Sequence, residues 1–472
     1  MFLAKTKNKY SKGSVLAYAL IIVSITTIIL VSILGYISSQ LKFSFNRVEK
    51  EKAFQAAEAG IYYYRWYLAH ETSGKTAQEI NTFLQTGGPM GFAPAETDYE
   101  GIGKYQIAVD PPVSGSTILN VESTGWSVKE PDMKRTTKVR FRRPSWSEYA
   151  VLADDFMRFG AGTEVFGKIH SNGGIRFDGL AHNVVSSLLA TVDDPDHGGG
   201  NEFGAHTHDA PVDPLPPAAV PERVDIFEAG RQFPVSEVSF NGAVSDLNLM
   251  RTESQSGHGV YFGDDGYGRE ITLRADGMMS VCRVFQYDSS AYSISRYKRN
   301  VGNGSCASCV DQCAPTVYNI PDNGVIFVEN NNAWVAGTID NRKVTVATAG
   351  ATADIYIGVN NLRYTNYDGR DVIGLVAQRN VSVVLGSQDF LTIDAALLAQ
   401  SGRVGRNYYA GNYKNTITVN GSIATNQRYG FAYTDGTGYT NRILNFDNNL
   451  LYFPPPYFPT GLEYAIDSWE EL

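Results

Sequence analysis

The strongest pattern in the chain is a long stretch without charge. From Ser14 to Leu41 no charged side chain occurs, and Val, Ile and Leu dominate. Such a run exceeds the ~20 apolar residues that a helix needs to cross a bilayer. Beyond Leu41 the helical pattern continues with neither Gly nor Pro until Gly60. Phe54, Ala57, Ile61, Tyr64 and Leu68 are spaced 3, 4, 3 and 4 apart, which places them on one helix face. A single helix over 14–70 is roughly 85 Å long at ~1.5 Å per residue. Lipid covers only its first half, so the second half must pack its stripe against a folded head or another subunit.

After the helix the pattern changes period. Glu71–Thr86 is polar, with a short helix expected around Ala77–Leu84, and Gly87-Gly88-Pro89 closes it. Three strands then follow from alternation: Lys104–Asp110, Thr117–Ser123 and Arg135–Arg142. They predict a small antiparallel sheet laid over the helix stripe, in a module ending at Pro144. From Ser145 the chain is made of short β runs between Gly and Asn turns. Val165-Phe-Gly-Lys-Ile169, Val335-Ala-Gly-Thr-Ile339 and Val419-Asn-Gly-Ser-Ile423 share the form V-x-G-x-I. Each is followed within three residues by Asn172, Asn341 or Asn426. Inward aliphatics around a glycine, then a corner tolerant of left-handed backbone, suit one rung of a right-handed parallel β-helix. An irregular β-sandwich would show similar short strands.

The expected fold class is therefore α+β. Residues 1–13 form a basic leader, 14–70 a transmembrane stalk helix, 71–144 a small head module and 145–472 a β-solenoid. Within the last, 193–321 reads as a loop-rich insertion, because it holds Pro211, Pro214, Pro216, Pro217 and Pro221. A helix is expected near Arg223–Arg231. Residues 446–472, rich in aromatics and prolines, are expected to cap the last rung, whose strand edges and core would otherwise be open. A ligand for a partner's aromatic groove is the other reading of this tail.

The residues around the apolar helix carry a family resemblance. Lys12-Gly13-Ser14, the uncharged run, and then Ala53-Phe-Gln-Ala-Ala-Glu-Ala-Gly60 resemble the start of a PilX-type minor pilin. The resemblance covers about the first seventy residues, with Phe54, Ala57, Glu58 and Gly60 in its helix motif. It implies that a prepilin peptidase cuts between Gly13 and Ser14. It also implies other pilin subunits and the pilus assembly machinery as partners, and assembly into an extracellular filament. One departure is that major pilins carry glutamate at the fifth residue after the cut, where this chain has Tyr18. Type II secretion pseudopilins share the same start, and a plain uncleaved anchor is the simplest competing reading.

Charge sets the orientation. Lys5, Lys7, Lys9 and Lys12 precede the apolar run with no acid among them, so the N-terminus is expected to stay cytoplasmic and the rest of the chain to be exported. A net charge of −9 offers no basic footprint for nucleic acid. Signatures of hydrolases, zinc proteases and nucleotide-binding loops are absent from the sequence, so neither an enzyme nor a cofactor is indicated. Parallel β-helices do host polysaccharide-cleaving enzymes whose paired carboxylates leave no sequence mark. A tethered glycan-binding or glycan-degrading protein is therefore the alternative function.

Two groups of residues carry chemistry. Five of the seven histidines (His170, His182, His197, His206 and His208) fall close together, and His206-Thr-His208-Asp209 has the donors for zinc or a related ion. The four cysteines, Cys282, Cys306, Cys309 and Cys313, suit two disulfides in an exported domain. A four-cysteine zinc knuckle competes with that reading. The Asp-Gly turns at 264–266, 368–369 and 435–436 lack the acid spacing of a calcium loop.

The leader reading has a direct check. N-terminal sequencing of the envelope-associated protein is expected to begin at Ser14; a mature form that keeps Lys5–Lys12 would favour the uncleaved anchor.

Overall fold

The computed structural model describes residues 13–72, 75, 79, 83, 96–110, 118–143, 145–240, 243–298, 315–459 and 464–472. The expected helix at Ala77–Leu84 lies largely outside them, as do Cys306, Cys309 and Cys313. Helix α1 runs unbroken over Gly13–Thr72. It is long and apolar enough to span a membrane, and its apolar window is entirely exposed. Its second half lies on a five-stranded sheet. Strands β1 (Thr97–Tyr99), β2 (Gly103–Asp110), β3 (Ile118–Ser127) and β4 (Lys134–Arg142) pair antiparallel in chain order. The C-terminal strand, Ala465–Glu471, is antiparallel to β4 and completes the sheet.

The reason the helix can lie so close is the size of the residues at the contact. Ala53, Ala56 and Ala57 are fully buried. A Cβ added at Gly125 of β3 would sit 2.3 Å from both Ala53 O and Ala57 N. One added at Gly60 would sit 2.2 Å from Ser123 Oγ. Small residues on both surfaces bring backbone to backbone, and the larger core residues pack around that contact. Ile61, Tyr64 and Leu68 meet Tyr105, Ile107, Leu119, Val121, Val139 and Phe141. Burial of each such side chain is worth about 1.5–3 kcal/mol. Of the expected stripe, Ala57, Ile61, Tyr64 and Leu68 face the sheet. Phe54 turns to the flank, where the Arg135 guanidinium stands 5.9 Å from its ring centroid.

Residues 145–459 form the second β region, in which most strands are parallel. One ladder can be followed strand by strand: 260–262, 325–329, 343–349, 372–377, 396–399, 422–425, 151–153, 169–171, 185–187 and 231–232. The order is not that of the sequence. The first strands of the region, from 151 onward, stack on the last ones, so that Ile423 pairs with Val151 and Leu444 with Val165. The chain enters the stack in its middle and builds outward to residue 232. It then crosses back through a helix at Ala243–Ser254, starts again from the far end at 260, and returns.

All six aliphatics of the V-x-G-x-I triplets are buried in one core. The first and third triplets occupy equivalent rows, because Val419, Leu444 and Val165 are successive neighbours, as are Ile423, Val151 and Ile169. The second is shifted by two residues: Gly337 pairs with Leu362, Leu362 with Ile393, and Ile393 with Val419. Gly421 is required, since a Cβ there would lie 2.0 Å from Ala395 O. At the corners, Asn172 and Asn426 both donate to Asp154, at 2.7 and 3.1 Å, which ties an early rung to a late one. Asn341 has φ +50°. A polar row, Asn445 to Asn420 to Asp394, steps through three rungs with bonds of 2.8 and 2.6 Å.

Three expectations change. The segment 193–321 is not a loop throughout: it supplies strands at 202–203, 205–206, 231–232, 260–262 and 268–273. Among its described residues, the strands at 278–288, 293–298 and 316–319 attach antiparallel to the stack, and 202–203 pairs antiparallel with Thr191–Val192 in a small sheet of its own. No helix forms at Arg223–Arg231. Arg223 has φ +30°, and Phe227 is buried in the core opposite Ala181, so tertiary packing overrides the local preference. The tail does not cap the last rung, because Thr163–Phe166 already occupies that edge. Instead, Leu450 and Phe458 bury themselves against the side of the stack, and Thr345 Oγ1 donates to Pro456 O at 2.6 Å. The chain then returns to the head sheet.

The close contact at Gly125 generates a prediction. Gly125→Val forces side-chain atoms into the backbone of α1 and is expected to cost about 1–3 kcal/mol or more. Chemical denaturation of the detergent-solubilised full chain measures it; an unchanged midpoint would show that the helix does not rest on β3 as described.

Candidate functional site

The helix has two surfaces with different jobs. Beyond the face that the sheet covers, Val15 to Val48 and then Tyr62, Tyr63 and Trp66 remain exposed. Tyr63 and Trp66 have ring centroids 5.9 Å apart, Trp66 and His70 4.3 Å, and Tyr62 meets Trp469 of the C-terminal strand at 5.8 Å. Glu49 is buried where the helix meets the head, with Lys52 Nζ 2.9 Å from its Oε1. Glu58 is half-buried. Gly13 opens α1, and Tyr18 lies in its exposed part.

The histidines separate into two sets. His170 lies within a rung, bonded to Ser186 Oγ and Asn172 Oδ1 at 3.0 and 3.1 Å. Burial pushes its pKa below the ordinary value, against the bond to Asn172. His182 is bonded on both ring nitrogens, to Glu228 at 2.7 Å and Glu164 at 2.9 Å. Burial lowers its pKa, but the two carboxylates outweigh this and raise it. His197, His206 and His208 form the second set, with ring centroids 4.4 Å apart for His197 and His208 and 5.4 Å for His206 and His208.

Around that second set the structure gathers carboxylates. One donor atom each from Asp194, Glu202, His206 and His208 lies within 4.8 Å of all the others. His206 sits on the short strand Ala205–His206, paired parallel with Ile175–Phe177, and Glu202 on the strand that turns back from Thr191–Val192. Asp209 is not part of the group: it is exposed, and its backbone N–H donates to Thr207 Oγ1 at 3.0 Å. The members of this group that sequence reasoning missed are Asp194 and Glu202. Glu202 stands four residues before His206, but only the hairpin through 191–203 shows that Asp194 joins them.

Cys282 lies on the strand Met278–Asp288 and is buried; among the described residues no cysteine is free. The Asp-Gly turns hold protein partners: Asp265 pairs with Arg269 and Arg283, Asp368 with Arg370, and Asp435 accepts from Thr437 and Tyr408. A cavity of about 620 Å³ opens between Arg158, Arg403, Arg428, Tyr429, Tyr433 and Arg442. Among the described residues that line it, Asp196 is the one carboxylate, and it is paired with Arg428 and Arg158.

Among the described residues, one long apolar helix is exposed over its first half and carries an antiparallel sheet on its second, with a larger β region beyond it. Residues 12–61 match the PilX N-terminal family. Among solved structures the chain is similar to the competence-associated pilin ComZ from Thermus thermophilus, at 12% identity and a TM-score of 0.29, over 90% of this chain and 97% of that one. No curated protein matches the sequence.

Proposed function

We propose that this chain is a minor, tip-proximal subunit of a type IV pilus-like filament, acting in pilus assembly and surface attachment rather than as an enzyme. The observation that carries the reading is the PilX-type helix itself. The small residues Ala53, Ala56, Ala57 and Gly60 of its octad are used against its own sheet, while the apolar stretch from Val15 to Val48 is left bare for lipid and then for neighbouring subunits. On this reading prepilin peptidase releases Ser14, and the N-terminus faces the cytoplasm until assembly moves the head outside. The same reading takes the parallel stack as a β-helix, supported by ten strands in one ladder.

The tip assignment rests on two features. Major subunits pack in great number, which favours a small head, whereas here 145–459 adds a second β region to the head sheet. Tyr18 replaces the glutamate that, in the family, pairs with the N-terminal amine of a neighbouring subunit. A subunit with no predecessor lacks that amine, and an unpaired carboxylate in an apolar filament core is costly. A type II secretion pseudopilin tip would share both features.

Two measurements test this. Deletion of the gene is expected to reduce surface filaments and surface attachment; if both stay normal while the purified protein cleaves a polysaccharide, the tethered-enzyme reading replaces this one. Export also implies that Cys282, Cys306, Cys309 and Cys313 are oxidised. Intact mass without reductant is expected to be lighter by about four protons than the reduced form; stoichiometric zinc with four thiols freed by chelation would decide for a knuckle.

A further inference from the structure

We infer that Asp194, Glu202, His206 and His208 form a binding site for a first-row transition dication of the zinc class, one that pins the 193–204 segment to the stack. The argument begins with the proton on His206. Its Nδ1 lies 2.8 Å from Phe203 O, and a carbonyl only accepts, so Nδ1 carries the hydrogen. In the neutral ring the lone pair is then on Nε2. That nitrogen lies 2.8 Å from Glu202 Oε2 and 3.7 Å from Asp194 Oδ2.

Neither His206 Nε2 nor Glu202 Oε2 makes a hydrogen bond, although both atoms are buried and His206 is only 1% exposed. A buried acceptor without a partner costs about 1–3 kcal/mol, so two facing each other call for something between them. Glu202 Oε1 meets His208 Nε2 at 2.6 Å, which brings the second imidazole to the same carboxylate. A backbone carbonyl holding the far nitrogen of a histidine is the usual support of a metal-bound imidazole, because it fixes tautomer and ring orientation.

Charge and spacing favour the same occupant. Arg176 bridges Asp178 and Asp194, at 2.8 and 3.3 Å. With Glu202 counted, three carboxylates face one guanidinium, and the excess of two negative charges is what a divalent ion neutralises. Tetrahedral bonds of 2.0–2.2 Å set donor atoms about 3.3–3.5 Å apart, within the range of the observed separations. Two imidazoles with two carboxylates suit zinc and its neighbours, whereas calcium and magnesium prefer oxygen alone. Four protein donors leave no open position, so the ion holds structure rather than performing chemistry. His197, with its side chain half exposed and Nδ1 3.4 Å from Glu202 Oε1, stands outside the group.

The test uses the full chain in detergent, without a polyhistidine tag, stripped by a chelator and titrated with zinc sulfate against a chromophoric competitor. About one zinc per chain is expected. His206→Ala and Glu202→Gln are each expected to weaken binding by about 100-fold, while Asp209→Ala leaves it unchanged. Zinc is also expected to raise the thermal midpoint of the wild-type chain. Wild-type protein that takes up no zinc at micromolar free metal overturns the site, and this holds even if the variants fail to fold. Folded variants that bind as tightly as wild type also overturn it, since zinc held by the cysteines would survive His206→Ala.

Discussion

The second β region leaves the head sheet after β4 and must come back beside β4, because Ala465 pairs with Arg142. The structure depends on this requirement. A stack of parallel rungs built in sequence order begins at one end and finishes at the other. With ten strands in a ladder and about 4.8 Å between strands, its two ends would lie roughly 40 Å apart. The permuted order removes the problem. The first rung, at 151–153, and the last strands, at 422–446, are neighbours in the middle of the stack, so the way in and the way out lie side by side. Trp146 N donates to Pro459 O at 3.2 Å at that junction. The long crossing is moved to 233–259, where the helix Ala243–Ser254 buries Leu247 and Met250 against the side of the stack.

This explains what could and could not be read from the sequence. The helix and β2 to β4 were legible because their signals are local: an uncharged run, a 3-4 stripe and plain alternation. The inward direction of Val165, Ile169, Val335, Ile339, Val419 and Ile423 was legible for the same reason. Rung order was not, because a parallel ladder pairs residues far apart along the chain and Ile423 carries no mark that its neighbour is Val151. The C-terminal strand was missed because its surroundings, rather than its own pattern, make it a strand. Ala465–Glu471 is mostly exposed and is held by β4 and by the Arg140–Asp467 and Arg135–Glu471 pairs.

The metal candidates show the same division. His206 and His208 stand two apart in sequence, so their pairing is legible there; Asp209 follows directly but is exposed and outside the group. The strand ends at His206, so no strand alternation fixes where His208 and Asp209 point, and sequence adjacency is a poor guide to shared donors. Asp194 enters through the hairpin formed by Thr191–Val192 and Glu202–Phe203, a contact of tertiary origin.

The histidine group lies where a ladder stops, whereas the Cys282 strand has neighbours on both sides, with 293–298 and 316–319 beyond it. The strand that holds His206 is terminal in its three-stranded sheet. The strand that holds Cys282 lies beyond the first parallel strand of its own ladder, attached antiparallel to 268–273, which has 332–337 on its other side. A terminal strand lacks a neighbour on one side, and its unpaired backbone groups are open to fraying and to pairing with other chains. Interior rungs need no such help, since the next rung supplies both hydrogen bonds and apolar cover. The histidine segment has only the short strands Glu202–Phe203 and Ala205–His206. Coordination at 194–208 replaces the missing neighbour there, where burial alone is weak. Holding a terminal strand in place also protects the strands stacked behind it, since each is covered by the next.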